Sequence, residues 1–211
     1  MLHDHRASWS EYEKVMGDWY IKEGNQLAEA FEEKPDVIII GRDEMWWYTA
    51  TRRVSAWVSR AIGDDKVEIV YVLTPNLRKA HLIKNHVKDA ILPLFRYAEW
   101  KVDKENKELL LLSNGTKIHF LPLSAVCSGK VGTFDWGIVV CGSGENHLPE
   151  LEKATKQLVT LQGVAKVREN RESKVVFYGM KQSDEAKEQR RKTDEEYPDL
   201  RKLDWDITGE N

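Results

Sequence analysis

The sequence predicts an α/β domain built on a mainly parallel central sheet. Two short apolar runs, at residues 37–40 and 67–73, are each followed by a stretch with helical spacing of its apolar residues. Two strand–helix units in succession favour parallel strands with helices packed on the faces of the sheet. The Asn114-Gly115 pair between two further apolar runs is typical of a β-hairpin. We therefore expect a three-layer α/β sandwich that also carries a hairpin.

The first strand–helix unit follows an N-terminal helix. Residues 8–33 have helical character, and Pro35 is expected to end that helix. Residues 37–40 are all β-branched, which is typical of a parallel strand that is covered on both faces. Residues 49–62 then predict an amphipathic helix, because apolar residues recur there at intervals of three and four.

The remaining elements follow the same reasoning. In chain order we expect a strand, a helix, a hairpin, a strand, a helix and a strand, at residues 67–73, 77–92, 108–121, 137–141, 148–162 and 174–178. Residues 183–192 are charged and lack an apolar stripe. We interpret residues 1–211 as one domain, in which residues 183–211 form a lid or a loosely packed appendage.

Composition and charge limit the classes of function. Acidic and basic side chains nearly cancel, at 35 against 32, so bulk charge gives no reason to expect binding to nucleic acid or acidic lipid. Local basic clusters at residues 52–60 and 187–192 are interpreted as solvated faces. The two cysteines and the lack of a long apolar run predict a soluble, cytoplasmic protein in a reducing compartment, without a membrane partner.

The segment DVIIIGRDEMWWY, residues 36–48, contains the most specific motif. An apolar strand leads into a Gly-x₄ loop with the spacing of a phosphate-binding P-loop. In such a loop glycine admits backbone N–H groups to the phosphates, lysine neutralises them and a hydroxyl holds Mg²⁺. Trp46, Trp47 and Tyr48 stand at those three positions. The motif is therefore in the expected place but lacks its phosphate chemistry.

This loop is followed in order by VLTPN, LLLLSNGTKIHFLPL, SGKVGTFDWGIVV and KVVFYG. Together these segments resemble the ATPase domain of the viral large terminase subunit, a P-loop NTPase that packages DNA into a capsid. The resemblance spans roughly residues 20–207 and implies a P-loop NTPase-like three-layer sandwich. Within the phosphate loop it carries over only Gly41 and Arg42.

Two further family motifs are also replaced. In the terminase family the strand that matches Gly137–Val140 ends in an Asp-Glu pair, which holds Mg²⁺ and activates water. Cys141 and Gly142 stand there in this chain. The family's coupling motif matches Gly179–Lys181 but departs from its usual Gly-Thr-Pro pattern. The resemblance therefore implies the fold, whereas the replacements predict that the chain is not an ATPase and needs no cofactor.

All three departures fall at the C-terminal ends of strands, where open α/β sheets bind ligands. We expect one apolar, aromatic pocket with a thiol at its floor, lined by Gly41, Trp46, Trp47, Tyr48, Cys141, Gly142, Ser143 and Met180. We interpret it as a site rebuilt by protein engineering for a small apolar or aromatic ligand. The alternative is that the aromatic side chains fill a vacated nucleotide cavity, and the sequence leaves both interpretations open.

Cys141 is also a candidate nucleophile for ester hydrolysis. The glycine-rich residues after it offer backbone N–H groups that would stabilise an oxyanion. A thiolate near neutral pH needs a base or a positive neighbour, for which His147 and His119 are the candidates. The alternative is that Cys141 is a small buried hydrophobe.

The six histidines show no metal-ligand spacing, so no metal site is expected. Three functions stay open at this point. The first is a rebuilt pocket for ligand binding or cysteine-based ester hydrolysis. The second is a non-catalytic scaffold with a filled pocket. The third is a natural inactive terminase-like protein of DNA packaging.

Overall fold

The computed structural model describes residues 11–33, 37–41, 47–62, 67–98, 101–141 and 148–180. Within these ranges the helices are α1 (Glu11–Glu33), α2 (Trp47–Ala61), α3 (Leu77–Ala98), α4 (Leu123–Cys127) and α5 (Leu148–Glu169). The strands are β1 (Val37–Gly41), β2 (Ile69–Thr74), β3 (Val102–Glu105), β4 (Leu109–Leu112), β5 (Lys117–Pro122), β6 (Trp136–Val140) and β7 (Lys174–Met180). None of the described helices combines the length and apolar composition that a membrane crossing requires.

The strands form one mixed sheet in the order β1-β7-β6-β2-β5-β4-β3. The pairs that join β1, β7, β6, β2 and β5 are all parallel, whereas β4 is antiparallel to both β5 and β3. This arrangement confirms the mainly parallel sheet with an added hairpin. The last described strand, β7, is inserted between β1 and β6, so it joins the beginning of the chain to the middle of the sheet.

Each face of the sheet carries its own apolar core, which confirms the three-layer architecture. The first core packs α1, α2 and α3 against alternate strand residues, including Ile138 and Val140 of β6. The second core packs α4 and α5 against the other face, including Val139 and Cys141. Because side chains alternate along a strand, β6 contributes to both cores, and all five of its residues are buried.

The α2 helix is more deeply buried than its amphipathic pattern predicts. It contacts α1 on one side and α3 on the other, in addition to the sheet. Thr51, Arg53 and Ser55 are therefore buried together with the apolar face. The Ser55 hydroxyl is satisfied within the helix, since it donates to the Thr51 carbonyl at 2.7 Å. The expectation of a solvated basic face is wrong for Arg53, which is only 4% exposed.

Two helices are longer than expected. The α3 helix continues through Pro93, because one proline removes only one N–H donor and the preceding turns are anchored by the buried Ile83 and Val87. The α5 helix reaches Glu169, seven residues beyond the expected end at residue 162. Its last turn, residues 166–169, is exposed, so no apolar spacing in the sequence indicates it.

Two short elements were not predicted. The β3 strand, with the sequence VDKE, has no alternation of apolar and polar residues, and three of its four residues are exposed. The α4 helix has only five residues, which is too few for a periodic pattern.

The hairpin itself is confirmed. Its turn depends on Gly115, whose φ of +91° is left-handed, and on Asn114, whose Oδ1 accepts a hydrogen bond from Thr116 N at 3.0 Å.

Candidate functional site

The C-terminal ends of β1, β7 and β6 lie side by side at one end of the sheet. Gly41 is paired with Met180, and Tyr178 is paired with both Ile40 and Val140. The Cys141 N–H extends this ladder by donating to the Tyr178 carbonyl at 2.7 Å. The topology thus brings the backbones of Gly41, Cys141 and Met180 onto three adjacent strand ends, as the sequence predicts.

A backbone irregularity marks this end of the sheet. The pairing of β1 with β7 passes from Ile40–Tyr178 directly to Gly41–Met180, which leaves Gly179 as an extra residue. Gly179 has a φ of +81°, a conformation that side-chain-bearing residues rarely adopt. Bulges of this kind are frequent next to functional sites, because they redirect the chain where a strand ends. Gly179 therefore has a definite backbone role at this strand end.

Trp47 and Tyr48 occupy the first turn of α2, so they lie close in the chain to the end of β1. The remaining predicted residues of this site, Trp46, Gly142, Ser143 and His147, lie outside the described residues.

The Cys141 side chain is directed into the second core and is 3% exposed. Burial away from water disfavours the thiolate and raises the pKa of the Cys141 thiol to about 12. At neutral pH this side chain is therefore a protonated, buried thiol. In this state it behaves as a small apolar group and is not a ready nucleophile.

His119 lies in the middle of β5, where its ring stacks on Tyr71 with centroids 4.7 Å apart and planes 16° apart. Burial, followed by the nearby charge of Lys117, lowers the pKa of His119 below its usual value. Tyr71 is paired with His119 on one side and with Gly137 on the other. His119 is therefore level with Gly137, four residues before Cys141.

This register separates His119 from Cys141. Four residues along a strand span about 13 Å, and two strand spacings add about 10 Å across the sheet, so the two positions are about 16 Å apart. The hypothesis that His119 activates the Cys141 thiol is wrong in this fold. The sequence does not reveal this separation, because it depends on the insertion of β2 between β6 and β5.

A buried polar cluster next to the candidate site escapes sequence analysis. Arg53 of α2 pairs with Glu23 of α1, with Nη2 and Oε1 3.5 Å apart, and both side chains are at most 6% exposed. The Arg53 guanidinium lies 5.7 Å from the centre of the Tyr178 ring, which meets Trp57 edge to face at 5.2 Å. The only signal in the sequence is that Arg53 and Trp57, four residues apart, share one face of a helix.

Within the described residues, no three histidine, cysteine, aspartate or glutamate side chains lie close enough together to hold a metal ion.

The fold resembles that of the large terminase of bacteriophage HK97, with a TM-score of 0.51 and 11% sequence identity. The likeness covers 79% of this chain and 34% of the phage protein, so the chain spans about a third of the length of that terminase. No protein-family model and no curated protein sequence matches the chain. The chain therefore has an α/β fold similar to that of part of this large terminase.

Proposed function

We propose that this chain is a terminase-like P-loop domain that does not hydrolyse ATP and that binds a small apolar or aromatic ligand where β1, β7 and β6 end. One observation carries the proposal. The three segments that depart from the terminase pattern lie at the C-terminal ends of three adjacent parallel strands. There, Gly41 is paired with Met180, and Cys141 is hydrogen-bonded to β7. Such strand ends form the ligand crevice of open α/β sheets. We attribute the three replacements to rebuilding of one site by engineering.

The loss of ATP hydrolysis follows from the chemistry of the replacing residues. An indole at position 47 has no charge to neutralise a phosphate, and a phenol at position 48 is a poor substitute for the hydroxyl that holds Mg²⁺. Cys141 offers sulfur where the terminase family has a carboxylate, and Mg²⁺ prefers oxygen ligands. We expect no magnesium-dependent ATP hydrolysis above background, and hydrolysis that tracks the purified protein would contradict the proposal.

The burial of Cys141 favours binding over ester hydrolysis. A cysteine hydrolase needs an accessible thiolate with a base beside it. The Cys141 side chain is 3% exposed, and the register separates it from His119. We therefore propose a binding site in which this thiol belongs to the floor.

A fluorescence titration tests the binding site. The probe is 8-anilinonaphthalene-1-sulfonate, an aromatic compound whose emission rises in apolar surroundings. We expect saturable binding that is weakened at least tenfold by Trp47→Ala, because this substitution removes an aromatic surface at the proposed crevice. Trp19→Ala, on α1, is the matched control and should leave the affinity unchanged. Equal binding by the unaltered protein and Trp47→Ala would place the probe elsewhere and contradict the proposal.

The second candidate function is a non-catalytic scaffold in which the aromatic side chains fill the former crevice. The observation in its favour is again the burial of Cys141, because a filled site excludes water from its floor. The same titration separates the two candidates. The scaffold predicts no saturable binding of the probe by the folded protein.

A further inference from the structure

Three side chains meet in the first core between α1, α2 and β7. Arg53 is 4% exposed, and Trp57 and Tyr178 are both fully buried. The Tyr178 ring is the centre of the group, since the Arg53 guanidinium lies 5.7 Å from its centroid and the Trp57 ring meets it at 5.2 Å and 87°. Arg53 also reaches Glu23 through Nη2.

Four buried polar atoms of this group lack a hydrogen-bond partner among the described residues. They are Nε and Nη1 of Arg53, Nε1 of Trp57 and Oη of Tyr178. Leaving a buried donor unpaired costs free energy comparable to its full desolvation, and native proteins rarely accept that cost. Four such atoms on three side chains that contact one another therefore call for partners beyond these side chains.

Contacts with the Tyr178 ring involve the Arg53 and Trp57 side chains and leave the Tyr178 hydroxyl without a hydrogen bond among the described residues. The Arg53 guanidinium lies close enough to the Tyr178 ring for a cation–π contact, and the Trp57 ring meets the same ring edge to face. The Tyr178 hydroxyl is a substituent of that same ring and cannot be satisfied by it. At least this oxygen needs a partner that is not among the described side chains.

We propose that Arg53, Trp57 and Tyr178 enclose a buried hydration site, in which ordered water accepts hydrogen bonds from the two nitrogen-bearing side chains and pairs with the tyrosine hydroxyl. Buried water usually makes two to four hydrogen bonds to such otherwise unsatisfied groups. A small anion suits the site less well. The positive charge of Arg53 already faces the Glu23 carboxylate at 3.5 Å, and a second negative charge would be repelled by it in a medium of low dielectric constant.

The site would link α2 to β7 through water, and the ion pair between Arg53 and Glu23 extends the link to α1. Glu23 belongs to α1, Arg53 and Trp57 belong to α2, and Tyr178 lies two residues before the end of β7. It would thus hold the two helices against the strand that carries the proposed ligand site, and this inference does not depend on the proposed function.

A crystal structure of the full chain tests the assignment directly, with one crystal soaked in bromide. We expect an electron-density peak within hydrogen-bond distance of Tyr178 Oη and of at least one nitrogen of Arg53 or Trp57, without anomalous signal from bromide. An empty site would overturn the proposal. A bromide signal at that position would also overturn it, because the site would then hold an anion.

Thermal unfolding of Tyr178→Phe provides a second test, because the proposal predicts the direction in which the melting temperature changes. If water satisfies the hydroxyl, its removal loses a hydrogen bond, and the melting temperature should fall by about 2–4 °C. If the hydroxyl is unsatisfied, its removal should leave the melting temperature unchanged or raise it, which would overturn the proposal. Tyr71→Phe is the matched control, because the Tyr71 hydroxyl accepts a hydrogen bond from Gly132 N at 3.4 Å. Loss of this hydrogen bond should also lower the melting temperature.

Discussion

At the scale of single residues, Cys141 shows how burial decides chemistry. The same thiol at the same strand end would be a nucleophile if it faced solvent and a base. It instead packs in the second core, where the pKa of its thiol rises to about 12. The chemical identity of the residue can be taken from the sequence, but the direction of its side chain depends on the strand register.

Thiol labelling should separate the two cysteines. Cys127 is half-buried at the end of α4, whereas Cys141 is buried. We expect a thiol reagent to modify Cys127 first in the native protein and to reach Cys141 only as fast as the protein opens. The measurement is peptide mass spectrometry over time, with Cys127→Ala to isolate the slow site and Cys141→Ala to verify it. Rapid, saturable labelling of Cys141 in Cys127→Ala would instead indicate an accessible, activated thiol.

The raised pKa of Cys141 also predicts a dependence of stability on alkaline pH. The thiol of the unfolded chain loses its proton at its ordinary pKa of about 8.5, whereas the folded protein retains that proton until pH is about 12. The folded state therefore binds more protons in this interval, and the free energy of unfolding falls as pH rises through it. The slope from this group is about 1.4 kcal/mol per pH unit.

Other groups titrate in the same range, so the comparison is between the unaltered protein and Cys141→Ala. Denaturant unfolding at pH 8 and at pH 10 should give a smaller loss of stability for the variant. An equal loss in both proteins would show that the thiol is not buried as described.

At the scale of elements, α2 shows the limit of reading a helix from its apolar face. Apolar spacing correctly predicts that residues such as Val54 and Val58 face the core. Thr51, Arg53 and Ser55 are also buried, because α1 and α3 both contact the helix, and these contacts have no signature in the local sequence. The local sequence therefore predicts a solvated Arg53, whereas this residue pairs with Glu23 inside the protein.

The buried pair of Glu23 and Arg53 should be sensitive to loss of one partner. Glu23→Ala leaves the Arg53 charge buried without its carboxylate, and the free energy of unfolding should fall by about 3–5 kcal/mol. The double substitution Glu23→Leu with Arg53→Leu should cost less, since it removes both charges together. Chemical denaturation measures each value.

The control for this prediction is an exposed ion pair. Glu152 and Lys156 of α5 are 47% and 45% exposed, so Glu152→Ala should cost about 0.3–0.5 kcal/mol. A loss of similar size in Glu23→Ala would mean that α1 is solvated where it meets α2.

The hairpin turn gives a prediction of its own. Gly115 has a φ of +91°, and a Cβ added there would meet only Val67, with Cγ1 at 3.5 Å and Cγ2 at 3.7 Å, which are ordinary contacts. The cost of Gly115→Ala therefore comes from backbone strain and should be about 1–2 kcal/mol. Gly163, inside α5 with nothing within 4 Å of an added Cβ, should respond in the opposite direction, with a gain of about 0.5–1 kcal/mol for Gly163→Ala. Equal effects from both substitutions would contradict the assigned turn.

At the scale of the whole molecule, the sequence predicts the layers better than the order of the strands. Runs of apolar residues, such as the fully buried β6, identify the strands of the sheet. A helical segment between two such runs indicates that the two strands are parallel and that the helix packs on a face of the sheet. The insertion of β7 between β1 and β6 depends on contacts between residues far apart in the chain. For this reason the three strand ends could be grouped from the sequence, whereas the distance of His119 from them could not.

Because β6 belongs to both cores, damage to either face of the sheet should weaken the whole domain. Ile138→Ala removes side-chain volume from the first core and Val139→Ala from the second. We expect a loss of about 2–5 kcal/mol for Ile138→Ala and a smaller loss for Val139→Ala. Both variants should retain a single cooperative transition when it is followed by circular dichroism and tryptophan fluorescence.

The exposed Val167 serves as the control, and Val167→Ala should change stability by less than about 0.5 kcal/mol. Two separate transitions in either core variant would mean that the faces of the sheet unfold independently.

The position of β7 also has a consequence for how the protein is made. Among the described strands, β7 is the only partner of β1, yet it leaves the ribosome about 140 residues later. At translation rates of 5–20 residues per second, the apolar β1 strand waits roughly 7–28 s for the strand that pairs with it. During that interval its edge is open to other chains, and an unpaired apolar edge is where aggregation starts. Slower translation should therefore reduce the soluble yield of this protein, and chaperones that shield nascent chains should restore it.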